Sequence, residues 1–352
     1  MKITPSNKNL QYTGRIDWSK KEAPIFIFPC TSVAMRFTTK TLKNSKLKIY
    51  VENKAIYWDS YVGCILDGVQ TSHMIGKEGK TVIELEVSHE TDVHDILLFK
   101  RQDSCHELTF LGFELEEGAS LIEMPEKPKR KIEVYGDSVS AGEVSEAVDF
   151  VGKVDPEHNG EYSNSYYSYA WMTARKLNAQ IHNIAQGGIA LLDNTGWFHK
   201  PNQVGMEQAW DKVHYNPQYG PLTSWDFSNY EPDVVIVAIG QNDNHPEDYM
   251  KEDYNGEKAK NWRKGYEAFL TKLRNVYKNA YVVCITTILQ HDKNWDKAIC
   301  QVVEEMKDEK ISKYTFKRNG SGTPGHLRIG EAEEMAEELS TYISQLHIEG
   351  WE

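Results

Sequence analysis

Ser138 could act as a nucleophile because of where it stands in the chain. It ends the sequence Gly-Asp-Ser, directly after a short apolar run at residues 132–135 that is typical of a buried strand. In open α/β sheets the reactive groups lie at the carboxyl ends of strands, which makes Ser138 a candidate for covalent catalysis. The motif is short, however, and a Gly-Asp-Ser turn can equally do no more than cap the next helix.

Two further motifs follow predicted strands in the same way. Asn242 lies in Gly-Gln-Asn-Asp after the apolar run 234–239, where its side-chain N–H groups could stabilise a developing oxyanion. Gly188 ends the sequence Asn-Ile-Ala-Gln-Gly-Gly, and a glycine there lets a backbone N–H approach a substrate closely. Ordinary turns would also explain both motifs, since Asn, Asp and Gly favour turns.

His326 is the candidate general base. It stands after a predicted strand at residues 314–316 and before an amphipathic helix. The unperturbed pKa of histidine suits it to take a proton from serine near neutral pH. The chain has 12 histidines, so only its position distinguishes His326 from the others.

The elements that must position these groups change in character near residue 125. Before that point, short segments such as residues 47–51 and 81–87 alternate apolar and polar side chains, which predicts an antiparallel β-sandwich. Residues 125–130 contain two prolines and charged side chains, and this composition indicates a linker. Buried strands then alternate with amphipathic helices, which predicts a parallel sheet covered on both faces. We therefore predict a β-sandwich domain at 1–124, a linker at 125–130 and an α/β domain at 131–352.

Composition limits the classes of function. The 352 residues carry 40 basic and 52 acidic side chains, a formal charge of −12, which argues against binding of nucleic acid or a membrane surface. No apolar run approaches the ~20 residues of a membrane helix. Five scattered cysteines lack the spacing of metal ligands, so we expect no metal.

The first residues lack the pattern of a signal peptide, and we expect a cytoplasmic protein. A secreted protein whose signal peptide had been removed would have the same sequence. The sequence does not indicate an oligomeric state.

Taken in order, the four motifs resemble the block pattern of the SGNH or GDSL hydrolases over roughly residues 131–347. The upstream sequences at residues 94–100 and 113–115, followed by the segment that leads to Ser138, extend the resemblance to carbohydrate esterase family 2 over essentially the whole chain. Members of that family join a jelly-roll domain to an SGNH domain and remove acetyl groups from plant-wall polysaccharides. The resemblance implies an N-terminal all-β jelly-roll domain followed by an α/β SGNH-hydrolase domain with three layers.

The resemblance also implies roles for individual residues. Ser138 matches the nucleophile and His326 the general base. The oxyanion hole would consist of the backbone N–H groups of Ser138 and Gly188 and the side chain of Asn242, with Gly187 as an alternative to Gly188. No metal or organic cofactor belongs to this chemistry.

The sequence departs from the family pattern just ahead of the histidine. Aspartate commonly stands two or three residues before this histidine, whereas residues 322–325 here read Gly-Thr-Pro-Gly. We therefore predict a Ser-His dyad in which a backbone carbonyl near Thr323 or Pro324 accepts from the imidazole Nδ1. A decayed domain that only binds its ligand is the alternative.

The resemblance implies an acetylated oligosaccharide or polysaccharide as the substrate, with xylan, mannan and glucomannan left open. Sugar rings stack on aromatic faces, and Trp197 and Trp295 are the candidates, although most of the nine tryptophans are expected in the core. A lipase or thioesterase of the same fold and a non-catalytic glycan-binding protein are the alternative functions.

Overall fold

The structure is a computed structural model that describes residues 1–39, 45–88 and 90–351. The chain forms two compact units: Met1–Lys127 with Asn159–Glu161, and Pro128–His158 with Tyr162–Glu352. The boundary between the two units at Lys127 and Pro128 falls inside the predicted linker. The exact ranges 1–124, 125–130 and 131–352 stay a prediction. Glu352, the last residue of the predicted α/β domain, lies outside the described residues.

In its described residues, the first unit consists of two antiparallel sheets of six strands each. One sheet has the order β3-β4-β11-β6-β9, with β1 also paired to β11, and the other has the order β12-β5-β10-β7-β8, with β2 also paired to β5. The strands are β1 (Lys2–Ile3), β2 (Gln11–Thr13), β3 (Ile16–Asp17), β4 (Ile25–Phe26), β5 (Ser32–Thr38), β6 (Ser45–Ala55), β7 (Ser60–Leu66), β8 (Val69–Ile75), β9 (Glu78–Val87), β10 (Val93–Lys100), β11 (His106–Leu115) and β12 (Ser120–Ile122).

Alternation along the strands builds the core of this unit. In β6, Leu47, Ile49 and Val51 are fully buried while the residues between them are half-buried. They belong to the same buried cluster as Val33 and Phe37 of β5, which lies in the other sheet. Side chains of a strand point alternately to its two faces, so one face of each sheet enters a shared core. The predicted antiparallel all-β N-terminal fold is confirmed.

The second unit is built on a parallel sheet of five strands in the order β14-β13-β17-β18-β19, and helix α2 packs against α7 and α5 against α6. A separate pair, β15 and β16, is antiparallel. The strands are β13 (Arg130–Gly136), β14 (Ala179–Ala185), β15 (Lys212–His214), β16 (Thr223–Ser224), β17 (Val234–Ala238), β18 (Tyr281–Cys284) and β19 (Ile311–Lys313). The helices are α1 (Ser138–Ala141), α2 (Tyr169–Lys176), α3 (Met206–Ala209), α4 (Tyr249–Glu252), α5 (Glu257–Val276), α6 (Lys293–Met306) and α7 (Ile329–Ser344).

The predicted parallel sheet with helices is confirmed, and its strand order locates the functional edge. Every residue of β17 is buried, which requires cover on both faces of the sheet. The chain leaves β13 for β14 on one side and leaves β17 for β18 on the other. The carboxyl ends of β13 and β17 therefore flank a topological switch point, the place where open α/β sheets bind ligands.

One predicted strand is displaced. The last strand is β19 at Ile311–Lys313, not residues 314–316 as the sequence predicts. The backbone N–H of Tyr314 still donates to the Cys284 carbonyl oxygen at 3.0 Å, so the predicted segment continues the strand's path beyond the regular ladder.

Among the helices of the described residues, none combines the length and the apolar composition that a membrane span requires.

Candidate active site

Ser138 is the first residue of α1, in a tight turn directly after β13. A Cβ on Gly136 would lie 2.1 Å from Ser140 Oγ, so the turn leaves no room for a side chain there. The Asp137 carboxylate accepts a hydrogen bond from the Val139 N–H at 3.0 Å and caps the helix. Helix α1 ends after one turn at Gly142, whose φ of 78° suits glycine. The turn therefore caps a helix and also presents Ser138 at the sheet edge, so the two interpretations of the motif are compatible.

The imidazole of His326 lies next to the Ser138 hydroxyl. His326 stands in the loop that leads into α7, and its Nε2 is 2.8 Å from Ser138 Oγ. The other ring nitrogen, Nδ1, is 2.6 Å from a carboxylate oxygen of Asp155, which can only accept when ionised. Nδ1 therefore carries the proton, and Nε2 is free to accept from the serine hydroxyl.

The predicted dyad with a backbone carbonyl at Nδ1 is wrong. The acceptor at Nδ1 is Oδ2 of Asp155, and Oδ1 of the same carboxylate accepts from the backbone N–H of His326 at 2.9 Å. A carboxylate that holds both the ring and the backbone of a histidine fixes its tautomer and its orientation. The site thus has the geometry of a Ser-His-Asp triad.

A buried arginine supports this carboxylate. Arg328 is fully buried, and its guanidinium donates to Asp155 Oδ1 at 2.8 Å and to the carbonyl oxygen of His326 at 2.6 Å. The Glu331 carboxylate accepts from the Arg328 N–H at 3.0 Å at the start of α7. Helix α7 therefore positions Asp155 and His326 through one side chain.

The charges around the triad set its protonation. Burial alone would lower the pKa of His326, but the hydrogen bond with Asp155 and the charges of Glu143, Asp155 and Asp137 raise that pKa above its usual value. Burial alone would raise the pKa of Asp155, and its contacts with His326 and Arg328 outweigh this and lower that pKa. Asp155 is therefore ionised at neutral pH, and the imidazolium that forms when serine loses its proton is stabilised.

Asn242 lies between the nucleophile turn and the Gly188 turn. Its side-chain Nδ2 donates to the Ile189 carbonyl oxygen at 3.1 Å and to Asp137 Oδ2 at 3.3 Å. Those two acceptors belong to the residue after Gly188 and the residue before Ser138. The structure thus brings together the predicted oxyanion residues Ser138, Gly188 and Asn242 at the carboxyl ends of β13, β14 and β17.

Backbone geometry explains the glycine at position 188. Gly188 has a φ of 73°, a conformation that side chains disfavour, and its carbonyl oxygen accepts from the N–H groups of Trp197 and Phe198 at 2.8 and 3.1 Å. A Cβ at this position would lie 2.8 Å from Trp197 Cβ. The turn is therefore fixed by the segment that follows it.

Asp243 holds that segment in place. Its fully buried carboxylate accepts from the Leu191 N–H at 2.9 Å and, more weakly, from the Leu192 N–H at 3.4 Å. Burial raises the pKa of Asp243 to about 6, although these hydrogen bonds act to lower it. The motif that supplies Asn242 thus also ties the loop after Gly188 to β17.

The two candidate tryptophans differ in exposure. Trp197 is 52% exposed, and its ring stacks on His245 with the centroids 3.4 Å apart. Trp295 is fully buried in α6, packs edge-on against Trp262 and donates from Nε1 to Asp248 at 3.0 Å. A ring with no exposed face cannot stack on a sugar, so the prediction for Trp295 is wrong.

Sequence reasoning missed Asp155 and Arg328. Asp155 is 171 positions away from His326 and lies in a loop without regular structure, so no local motif marks it. Arg328 stands two residues after the base, where a cation gives no signal of its own. Among residues 1–39, 45–88 and 90–351, no group of three or more His, Cys, Asp or Glu side chains is placed to hold a metal ion.

Known proteins resemble this chain over nearly its whole length. Residues 12–125 match the family model for the N-terminal domain of carbohydrate esterase 2. An acetylxylan esterase / glucomannan deacetylase of Cellvibrio japonicus is 26% identical over 98% of this chain and 90% of the relative. These matches confirm the resemblance to carbohydrate esterase family 2.

Further relatives match at similar levels. The cellulase/esterase CelE of Acetivibrio thermocellus is 27% identical over 96% of this chain, and the chain spans 39% of the length of CelE. A family two carbohydrate esterase of Clostridium thermocellum, solved in complex with cellohexaose, superposes with a TM-score of 0.79 at 24% identity and covers 97% of this chain and 100% of that one. The two-domain fold is therefore that of the family.

Proposed function

We propose that the protein is a serine esterase that removes O-acetyl groups from hemicellulose, as polysaccharide or as oligosaccharides. The observation that carries the proposal is the hydrogen-bonded series from Ser138 through His326 to Asp155 at the switch point of the sheet. The relatives support the substrate class, since one is named for acetylxylan and glucomannan. No step in this chemistry needs a metal or an organic cofactor.

The reaction proceeds through an acetyl-enzyme. Ser138 Oγ attacks the acetyl carbonyl carbon while its proton passes to His326 Nε2, and Asp155 stabilises the resulting imidazolium. When the tetrahedral intermediate collapses, Nε2 returns the proton to the leaving sugar oxygen. A water molecule, deprotonated by the same nitrogen, then attacks the acetyl-enzyme, and Nε2 returns this proton to Ser138 Oγ as acetate leaves.

The oxyanion would be held by the Ser138 and Gly188 N–H groups and by Asn242 Nδ2. The bond from Nδ2 to Asp137 is long, at 3.3 Å, so its loss to an oxyanion costs little. Burial raises the pKa of Asp137 to about 6, so this carboxylate competes less as the pH falls toward that value. One hydrogen of the Asn242 amide is thus available to the transition state.

Asn242→Ala is expected to lower kcat by about 100- to 1,000-fold with little change in KM, since one oxyanion donor typically contributes that factor. The measurement is steady-state kinetics on an acetyl ester. Asn279→Ala, at an exposed residue before β18, is the matched control. A loss confined to KM would contradict the oxyanion role.

Trp197 is proposed as a stacking surface for the sugar. Its ring is half exposed, and its backbone N–H contacts the Gly188 turn, so a sugar ester in the site would lie near it. Trp197→Ala is expected to raise KM for acetylated oligosaccharides about tenfold, because partial burial of an aromatic side chain contributes on the order of 1 to 2 kcal/mol. KM for 4-nitrophenyl acetate should change far less, and an equal change for both substrates would contradict the assignment.

Time-resolved NMR of defined acetylated xylo- and manno-oligosaccharides tests the proposed function as a whole. We expect acetate release, with the backbone and position preference read from the decaying acetyl signals. A series of nitrophenyl esters from acetate to decanoate should show a preference for acetate. Faster cleavage of the long esters would instead indicate a lipase or thioesterase, and binding without cleavage a glycan-binding protein.

A further inference from the structure

A second carboxylate lies beside the base, on the side of the nucleophile. Glu143 lies two residues after the end of α1, and its backbone N–H donates to the Ser138 carbonyl oxygen at 3.0 Å. Its side chain is 13% exposed, and Oε2 is 4.0 Å from His326 Nε2. This is the same nitrogen that contacts Ser138 Oγ. The mechanism above gives Glu143 no role beyond its effect on the imidazole.

The distance shows what this carboxylate can do. At 4.0 Å, Oε2 is too far from Nε2 for a direct hydrogen bond, which spans about 2.7 to 3.2 Å. Nε2 must reach the leaving sugar oxygen to return the proton. An acceptor 4.0 Å from that nitrogen is placed to reach a different oxygen of the same leaving group.

Charge gives a second argument. A carboxylate oxygen 4.0 Å from His326 Nε2 stabilises the imidazolium, but it also repels the oxyanion that forms during attack. A sugar differs from a simple alcohol because hydroxyl groups flank the ester oxygen within hydrogen-bond reach. A donor from such a hydroxyl would offset the repulsion and orient the ring.

We propose that Glu143 determines specificity by accepting a hydrogen bond from a free hydroxyl next to the scissile ester. This inference rests on the proposed function and names the chemical feature that the site recognises: a partly acetylated sugar with an unmodified neighbouring hydroxyl. An ionised carboxylate accepts several hydrogen bonds, so any contacts that Glu143 has within the protein leave capacity for the substrate. Fully acetylated sugars are then poorer substrates at this position.

The test compares Glu143→Ala and Glu143→Gln with the parent on three esters. These are the best-cleaved monoacetate of methyl β-xylopyranoside, the same compound with its neighbouring hydroxyls methylated one at a time, and 4-nitrophenyl acetate. We expect Glu143→Ala to lose about 10- to 100-fold in kcat/KM on the monoacetate, the range for a hydrogen bond to a charged group. The loss on 4-nitrophenyl acetate should be at least about tenfold smaller, and Glu143→Gln should fall between alanine and the parent.

With the parent enzyme, one methyl ether should lower kcat/KM by about the factor that Glu143→Ala causes on the monoacetate. With Glu143→Ala the same ether should cause no further loss, because both changes remove the same contact. Equal losses on all three esters, or additive losses in the ether and the variant, would overturn the proposal and leave Glu143 as a charge that only stabilises the imidazolium. Glu267→Gln, on the exposed side of α5, is the charge-matched control, and melting temperatures identify a variant that fails to fold.

The same data separate this inference from the proposed function. If the parent cleaves none of the acetyl esters, the esterase proposal itself fails. If the parent cleaves them but the loss in Glu143→Ala does not depend on the neighbouring hydroxyl, only the role of Glu143 is wrong.

Discussion

Ser138→Ala is expected to lower kcat for acetyl ester cleavage about a million-fold, the loss seen when a serine nucleophile is removed from a hydrolase. The oxygen that is lost is the one 2.8 Å from His326 Nε2, and without it the reaction must use water directly. The fold should tolerate the change, since the Asp137 cap on the Val139 N–H and the αL end of the helix at Gly142 do not involve the hydroxyl. Steady-state kinetics and the melting temperature of the variant test both halves of this expectation.

A matched control distinguishes loss of the nucleophile from a general effect of a lost hydroxyl. Ser228 is exposed and its hydroxyl donates to Asp226 at 2.7 Å, so Ser228→Ala removes a hydroxyl without touching the candidate site. Ser138→Ala should keep its affinity for acetylated oligosaccharide in calorimetry while release of acetate stops. A variant that retained more than a thousandth of the parent rate would remove Ser138 from the mechanism.

Periodicity made the fold predictable. The alternation at residues 47–51 places Leu47, Ile49 and Val51 in a core between two sheets, as the sequence predicts. The continuous apolar run that became β17 requires burial on both faces, which only a parallel sheet with helices provides. Both patterns are local, so they can be recognised without knowing which strands pair.

The motif residues were predictable for the same reason. Ser138 and Asn242 each follow a strand of one parallel sheet, and the carboxyl ends of such strands share an edge. His326 precedes a clear amphipathic helix. Local sequence therefore identifies them as candidates, and the order of the strands brings them together.

Contacts between distant parts of the chain were not predictable. The backbone carbonyl expected at Nδ1 was the best candidate near His326 in sequence, but the structure supplies Asp155 from a loop 171 positions away. The prediction that Trp295 stacks on a sugar was wrong for a related reason, since its apolar surroundings come from Trp262 and Tyr249 on other elements. The spacing of residues along the chain carries no information on such packing.

Asp155→Asn is expected to lower kcat about 10,000-fold, the effect of the equivalent change in a Ser-His-Asp triad. The amide of asparagine can donate to Nδ1, which favours the tautomer that has its proton on Nε2 and so cannot accept from Ser138. Asparagine keeps an oxygen that can accept from Arg328, which limits the loss of stability. Kinetics below the melting temperature of the variant measure the effect, with Asp149→Asn, at an exposed residue of the same segment, as control.

The pH dependence supplies an independent readout of the same contact. Only the neutral imidazole can take a proton from Ser138, and Asp155 together with Glu143 and Asp137 raises the pKa of His326 against the effect of burial. In the parent, kcat/KM should therefore rise with pH through an apparent pKa above the usual value of about 6.5. In Asp155→Asn the imidazolium loses its closest negative charge, so the remaining activity should rise at a lower pH than in the parent. If a backbone carbonyl held the imidazole instead, Asp155 would contribute nothing to the base. Asp155→Asn would then change neither kcat nor the pH at which kcat/KM rises.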